Sequence, residues 1–207
     1  MLISNAFNID CMEAMKEFPD KYFELAIVDP PYGIDINISM GRRKGDKKSR
    51  YHKFAGDDKS IPDEIYFIEL KRVSKNQIIW GGNYMTDYLN PSSCWLLWDK
   101  GFSDELTFSQ FEMAWTSFSS TTKKYDKNPN QTKRIHPTQK PVALYKWLLT
   151  NYAKQGDKIL DTHLGSGSSR IAAYDMGFDF WGYELDSEYF KAQEKRFNNF
   201  KMQGKLF

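Results

Sequence analysis

An apolar run that stops at two consecutive prolines constrains the fold of this chain most strongly. Leu25 to Val28 has the composition of a buried strand, and the motif Asp29-Pro30-Pro31-Tyr32 follows it directly. Proline lacks the N–H group that a central strand requires, so the strand ends here in a rigid turn. Asp-Pro and Pro-Pro also occur in ordinary loops. A carboxylate, two prolines and an aromatic ring at a strand end are nevertheless well suited to holding a planar base with an exocyclic amine.

Strands and helices alternate along the rest of the chain. We predict strands at 24–28, 77–80, 94–98, 111–115, 158–161 and 180–184. We predict helices that begin near Asp10, near Pro62, after Pro141, after the glycine loop at 165–168, and close to the last residues. This alternation predicts an α/β fold with a mostly parallel, doubly wound sheet. The 207 residues suit one domain, 1–207, with a single core.

Positive charge is concentrated in two segments of an otherwise acidic chain. Residues 42–53 carry a net charge of +6 and residues 117–134 carry +4, although the whole chain has only +2. We predict a basic loop at 33–60 and a second loop at 117–134. This asymmetry indicates a polyanionic partner, whereas two solvated loops are the simpler alternative. The candidate phosphate-binding residues are Arg42, Arg43, Lys44, Lys47, Lys48, Arg50, Lys123, Lys124 and Lys127.

Cysteine usage and hydropathy disfavour several classes of protein. Cys11 and Cys94 lie far apart and lack the spacing of metal ligands. We therefore expect no disulfide framework, no metal and a reducing compartment. No apolar run approaches the roughly 18 residues of a membrane helix, and the first residues do not resemble a signal peptide. The expectation is a cytoplasmic protein that has no membrane partner.

A second motif lies between a predicted strand and a predicted helix. Its sequence is Asp161-Thr162-His163-Leu164-Gly165-Ser166-Gly167. Doubly wound folds approach a nucleotide-like cofactor in this way, since glycines allow a tight turn and a close backbone approach beside a helix N-terminus. Glu184 ends the next strand and could accept hydrogen bonds from ribose hydroxyls. No lysine follows the glycines to cradle phosphates, which disfavours a P-loop.

In this order, the motifs resemble those of the beta class of S-adenosylmethionine-dependent DNA amino-methyltransferases, in which Asp-Pro-Pro-Tyr precedes the glycine motif. The segment His136-Pro137-Thr138-Gln139-Lys140-Pro141 and the strand at 95–100 also match the family. The resemblance covers nearly the whole chain and implies a Rossmann-like methyltransferase fold with a circularly permuted motif order. Where the family commonly continues Asp-Pro-Phe, this chain has Thr162 and His163, so we expect His163 to supply the aromatic contact. The segment 117–134, where the family keeps its target-recognition segment, is short.

The resemblance implies methyl transfer to the N6 amine of an adenine that is flipped out of duplex DNA. Asp29 and the carbonyl of Pro30 would hold the amine, Tyr32 would stack on the base, and Pro30 and Pro31 would keep this platform rigid. The cofactor S-adenosylmethionine would be bound by Asp10, Asp29, Thr138, Lys140, Asp161, His163, Gly165, Ser166, Gly167 and Glu184. Lys140 could pair with a carboxylate at the methionine end. The alternatives are a surface residue at a helix start for Lys140 and an ordinary N-cap for Asp10.

The choice of substrate stays open in several respects. Aspartate rather than serine at position 29 favours adenine, because the family's cytosine members often begin this motif with serine. Cytosine-N4 methylation of DNA, an RNA substrate and a catalytically silent DNA-binding module of the same fold are the alternatives. A homodimer also stays open.

Overall fold

We describe residues 2–34, 59–101, 109–127 and 134–203 of a computed structural model of the chain. Most of the predicted basic loop at 33–60 lies outside these ranges. The same holds for six candidate phosphate-binding residues, which are Arg42, Arg43, Lys44, Lys47, Lys48 and Arg50.

Within these ranges the chain forms eight strands and five α-helices. The strands are β1 (Ser4–Phe7), β2 (Phe23–Val28), β3 (Ser74–Trp80), β4 (Trp95–Asp99), β5 (Phe111–Thr116), β6 (Lys123–Asp126), β7 (Lys158–Asp161) and β8 (Asp179–Tyr183). The helices are α1 (Cys11–Lys16), α2 (Glu64–Val73), α3 (Val142–Tyr152), α4 (Ser168–Asp175) and α5 (Ser187–Gln203). Two 3-10 turns, Gly82–Tyr84 and Thr86–Tyr88, follow β3.

All of these strands belong to one sheet with the order β1-β8-β7-β2-β3-β5-β4-β6. Strand β5 is antiparallel to both of its neighbours, and the other strand pairs are parallel. The carboxyl ends of β2, β3, β4, β6, β7 and β8 therefore share one edge of the sheet, together with the amino end of β5. The chain proceeds outward from β7 to β8 on one side and from β2 to β3 on the other. The point between β7 and β2 is thus the topological switch point, where ligands bind in open α/β sheets.

Helices cover both faces of the sheet. On one face, α3 and α4 contribute residues such as Leu148 and Ala172 to a core that includes Leu25 and Ile27 of β2. On the other face, α1 and α2 pack against Ala26, Val28 and their neighbours. Alternate residues of β2 thus enter opposite cores, which explains why its apolar run is unbroken. No helix among the described residues is long and apolar enough to cross a membrane.

The six predicted strands and five predicted helices are confirmed, but two edge strands were not predicted. The loop prediction for 117–134 was wrong in part, because Lys123–Asp126 forms β6. Its residues, Lys-Lys-Tyr-Asp, have no apolar pattern, and pairing with β4 from Leu96↔Lys123 to Asp99↔Asp126 holds them in the sheet. At the opposite edge, β1 pairs in parallel with β8. These two edge strands are therefore held by backbone pairing, and the pattern of their side chains did not predict them.

Candidate active site

Both sequence motifs lie at the switch point of the sheet. Asp29 comes directly after β2, Asp161 ends β7, and Glu184 comes directly after β8. Strands β2 and β7 are neighbours with Ala26 opposite Leu160, so Asp29 and Asp161 lie at the carboxyl ends of adjacent strands. The Asp-Pro-Pro-Tyr motif and the glycine motif are therefore brought together, although about 130 residues separate them in the chain.

The carboxylate of Asp29 is hydrogen-bonded through both oxygens. The Tyr32 hydroxyl donates to Oδ1 at 2.6 Å, and the Lys140 ammonium donates to Oδ2 at 2.5 Å. The Lys140 side chain is only 2 % exposed, whereas that of Asp29 is 16 % exposed. A carboxylate has about four lone-pair sites, so Asp29 can accept further hydrogen bonds from a ligand.

The Lys140 ammonium contacts a second carboxylate, that of Glu112. Its Nζ lies 3.1 Å from Glu112 Oε2, and the Nζ of Lys100 lies 2.7 Å from Glu112 Oε1. Lys100 follows β4 and Glu112 is near the start of β5, so the reversal of β5 brings both to the edge that carries Asp29. Asp29, Lys140, Glu112 and Lys100 form an alternating series of charges, which we call the charge chain.

Burial and charge act in opposite directions on the inner members of the charge chain. Burial tends to raise the pKa of Glu112, but the ammonium groups of Lys140 and Lys100 outweigh it and hold the pKa below its usual range. Burial tends to lower the pKa of Lys140, but Asp29 and Glu112 outweigh it and raise this pKa. Both groups are therefore charged at neutral pH. The sequence predicted a cofactor carboxylate as the partner of Lys140, and it gave no role to Glu112 or Lys100.

The ring of Tyr32 lies on a platform that other residues shape. Tyr84 stacks on it with 5.3 Å between ring centres and 17° between planes, and Tyr84 is 48 % exposed. Gly81 has φ +69°, and a Cβ there would lie 2.2 Å from Tyr32 Cε1. Burial, together with the charge of Asp29, raises the pKa of Tyr32 well above its usual value, so its hydroxyl remains a donor. Neither Gly81 nor Tyr84 was singled out in the sequence.

Two acidic side chains organise the glycine motif. Asp161 accepts hydrogen bonds from the Ser169 hydroxyl at 2.5 Å and the His163 N–H at 3.0 Å. Burial raises the pKa of Asp161 to about 7. Glu184 accepts from the backbone N–H groups of Gly165 at 2.7 Å and of Asp186 at 2.9 Å, and burial raises its pKa as well. Ionising these acids costs free energy, which a nearby cation or hydroxyl donor would offset.

The glycines serve the packing of this loop. Gly167 has φ +70°, and a Cβ there would lie 3.1 Å from Oε1 and 3.2 Å from Cβ of Gln193 on α5. The carbonyl of Ser166 accepts from Arg196 on the same helix at 2.7 Å. The space that a side chain at Gly167 would need is therefore occupied by α5. At Gly165, with φ +50°, the nearest atoms belong to the His136 ring at 3.6 Å.

The remaining predicted cofactor residues are held by local contacts. The ring of His163 meets Tyr66 edge-on at 5.5 Å, and burial lowers the pKa of His163 to about 4, so this histidine is neutral. Asp10 caps α1 by accepting from Met12 N at 2.7 Å. The Thr138 hydroxyl lies 3.0 Å from Nδ1 of His136, a buried residue. Each of these three residues is thus held by a contact within the fold.

Three candidate phosphate-binding lysines lie in or next to β6. Lys124 forms ion pairs with Asp126 at 2.8 Å and Asp99 at 3.3 Å. Lys123 donates to Asn151 Oδ1 at 3.0 Å. Lys127 is exposed, and it follows β6 at the edge of the sheet that carries Asp29. Two of the three ammonium groups are thus already engaged within the fold.

Comparison with known proteins identifies relatives of this arrangement. A family model described as DNA methylase, N6_N4_Mtase, matches residues 90–195, about half of the chain. The Type II methyltransferase M.HinfI of Haemophilus influenzae is 24 % identical over an alignment that covers 93 % of this chain and 67 % of that protein. The Type II methyltransferase M2.DpnII of Streptococcus pneumoniae is 38 % identical over 42 % of this chain and 30 % of that protein. The chain thus spans about two thirds of the first relative and less than a third of the second.

Solved structures show the same fold. The M1.HpyAVI–SAM complex superimposes with a TM-score of 0.63 at 16 % identity, covering 96 % of this chain and 100 % of the other. The PvuII DNA methyltransferase, described as cytosine-N4-specific, also has a TM-score of 0.63, at 11 % identity and over 96 % and 92 % of the two chains. At these identities the likeness establishes the fold alone.

Proposed function

This chain belongs to the N6/N4 DNA methylase family, and we propose that it transfers a methyl group from S-adenosylmethionine to the N6 amine of an adenine in DNA. The observation that carries the proposal is the position of the Asp29 carboxylate, which emerges from β2 beside the Asp161 end of β7. An acceptor for amine hydrogens thus lies next to an acidic, glycine-bearing loop. Aspartate at position 29 favours adenine over cytosine.

The chemistry of the residues around the glycine motif fits S-adenosylmethionine. Glu184 keeps lone pairs for ribose hydroxyls although it already accepts two backbone hydrogen bonds. Buried Asp161 becomes easier to ionise when a cation lies close to it. His163 is neutral and presents an aromatic ring beside Tyr66. When bound, the cofactor supplies an activated sulfonium methyl group.

Asp29 prepares the amine for attack. The exocyclic nitrogen is a poor nucleophile because its lone pair is delocalised into the base. Hydrogen bonds from the amine to the Asp29 carboxylate and to the carbonyl of Pro30 favour a pyramidal nitrogen with a localised lone pair. Correct orientation of two reactants can supply roughly 7–11 kcal/mol of barrier reduction. Catalysis by this chain is therefore chiefly a matter of positioning.

The aromatic residues beside Asp29 receive the base. A base within a duplex cannot reach Asp29, so it flips out at a cost of a few kcal/mol. Stacking on an aromatic ring returns about 1–3 kcal/mol per base. Tyr32 is fixed by its hydrogen bond to Asp29, and Tyr84, which is stacked on it and half-exposed, extends the platform towards solvent. Phosphate contacts from the basic segments add binding energy that depends on salt.

The decisive experiment identifies the modified nucleoside. The protein is incubated in parallel with mixed-sequence duplex DNA and with RNA, each together with cofactor labelled in its methyl group, and the nucleic acids are digested to nucleosides. We expect label in N6-methyladenine. Label in N4-methylcytosine would reverse the choice of base, label transferred only to RNA would contradict a DNA substrate, and cofactor binding without any transfer would indicate a silent binding module.

Asp29→Ala tests the residue that carries the proposal. We expect this variant to lose turnover while its calorimetric affinity for S-adenosylmethionine stays within about threefold, because Asp29 acts on the amine. Asp20→Ala is the control, since the Asp20 side chain is 76 % exposed and pairs only at the surface with Arg72. If Asp29→Ala turned over as fast as Asp20→Ala, Asp29 would have no role in the reaction.

A further inference from the structure

The charge chain has a member that neither the motifs nor the family match assigns. Glu112 shares the Lys140 ammonium with Asp29, at 3.1 Å against 2.5 Å for Asp29. Its other oxygen is held by Lys100 at 2.7 Å. The Glu112 side chain is 23 % exposed and that of Lys100 is 14 % exposed, so these contacts are sheltered from bulk water. Sheltered ion pairs are screened less than surface pairs.

We propose that Glu112 is a positioning residue for methyl transfer, which holds Lys140 so that the Lys140 ammonium fixes the carboxylate of Asp29. This inference rests on the proposed function. Lysine is a point charge on a flexible stem, and one partner does not determine where its ammonium lies. With Asp29 and Glu112 as two partners and the Tyr32 oxygen at 3.4 Å, the ammonium is constrained from three sides. Asp29 is then held at an angle that leaves acceptor sites open for the amine.

Charge balance supports this role. Lys140 lies almost entirely out of water, where an unpaired charge is costly. Asp29 and Glu112 together bring two negative charges next to the Lys140 ammonium, and the positive charge of Lys100 balances that of Glu112. If Asp29 had to neutralise Lys140 alone, its carboxylate would be less free to accept from the amine. Glu112 therefore shares the neutralisation of Lys140 and leaves Asp29 available.

Glu112→Gln keeps the shape of the side chain and removes its charge. We expect kcat for methylation of duplex DNA to fall roughly 10- to 100-fold, as for a small displacement of a reacting group. Affinity for S-adenosylmethionine should stay within about twofold. The groups that face Lys140 are Asp29, Glu112, Tyr32 and, through Glu112, Lys100. Without the negative charge of Glu112, the pKa of Lys140 should be lower than in the wild type. The alkaline limb of the pH profile of kcat should therefore move to lower pH.

Two further variants keep the inference testable if Glu112→Gln folds poorly. Glu112→Asp retains the charge on a shorter side chain, and its kcat should lie between those of the wild type and Glu112→Gln. Lys100→Met removes a positive charge near Lys140, which favours the protonated form of Lys140. The alkaline limb of this variant should therefore not move to lower pH. Glu188→Gln is the matched control, because Glu188 is 64 % exposed and pairs with Lys191 on α5 at 2.8 Å. It should behave as the wild type in every assay.

The outcomes separate this inference from the proposed function. If the wild type methylates DNA and Glu112→Gln has the same kcat and the same alkaline limb as the wild type, the inference is overturned but the proposed function is not. A loss of cofactor affinity as large as the loss of kcat also overturns it, because Glu112 would then act on the cofactor site. Absence of methyl transfer by the wild type overturns the proposed function, and the inference with it.

Discussion

Asp29 and Asp161 lie at the ends of adjacent strands, but their hydrogen-bond partners differ. The Asp29 carboxylate has an ammonium group at 2.5 Å, whereas the hydrogen bonds to Asp161 come from a hydroxyl and a backbone N–H. Neutral donors offset less of the cost of burying a charge, and the pKa of Asp161 accordingly rises to about 7. Asp161 therefore titrates in the physiological range.

Affinity for the cationic cofactor should consequently increase with pH. Asp161 is mostly protonated at pH 6 and mostly ionised at pH 8, and only the ionised form attracts a cation. If binding selects that form, linkage allows a gain of up to about tenfold between these pH values. Titration calorimetry at pH 6, 7 and 8 measures the gain.

Two variants identify the group responsible for this pH dependence. Asp161→Asn preserves the shape and an acceptor oxygen, and it should flatten the dependence. His163→Phe should leave the dependence in place, because His163, with a pKa of about 4, does not titrate in this window. An unchanged slope in Asp161→Asn would show that another group titrates.

The segment that follows β3 packs against the ring of Tyr32. Gly81 directly follows this strand and is the N-cap of the 3-10 turn that carries Tyr84, so one short segment contacts Tyr32 through both residues. The positive φ of Gly81 and the 2.2 Å approach of its missing Cβ to the ring both require glycine. The turn thus fits against the platform only if position 81 has no side chain.

Gly81→Ala should therefore displace Tyr32 and lower kcat about 10- to 100-fold, with little change in cofactor affinity. Gly156→Ala is the matched control: its φ of +91° imposes backbone strain, but no described atom lies within 4 Å of the added Cβ. Both variants should lose roughly 1–3 kcal/mol of stability in denaturant unfolding, and only Gly81→Ala should lose activity. Equal kcat values would mean that the position of Tyr32 is not critical.

The elements also explain which parts of the site the sequence could predict. Asp29, Asp161 and Glu184 were identifiable because each lies at the carboxyl end of an apolar strand, and parallel strands end at one edge. Glu112 and Lys100 were not, since their position depends on the reversal of β5 and on its insertion between β3 and β4. That order is set by pairing between segments distant in sequence. For the same reason, the contact between Gly167 and Gln193 could not be predicted from the glycine spacing alone.

Charge is distributed unevenly along the chain. The segment 42–53 follows Tyr32 in the chain and carries +6, while the remainder outside the two basic segments is acidic. The second basic segment contributes less free charge than its composition suggests, because Lys124 is paired with Asp99 and Asp126. We therefore expect the first segment to supply most of the phosphate contacts.

Neutralising the first segment tests this distribution. Replacing Arg42, Arg43, Lys47 and Lys48 together by glutamine should weaken DNA binding and flatten its salt dependence, since each lost phosphate contact lowers the log–log slope by about 0.9. Lys124→Gln is the matched comparison, and its slope should stay close to that of the wild type because two carboxylates already compensate this ammonium. DNA affinity is measured at several salt concentrations, with cofactor affinity as the check that the site is intact. Superimposable slopes for the quadruple variant and the wild type would show that residues 42–53 do not contact phosphates. A clearly reduced slope in Lys124→Gln would assign phosphate contacts to β6.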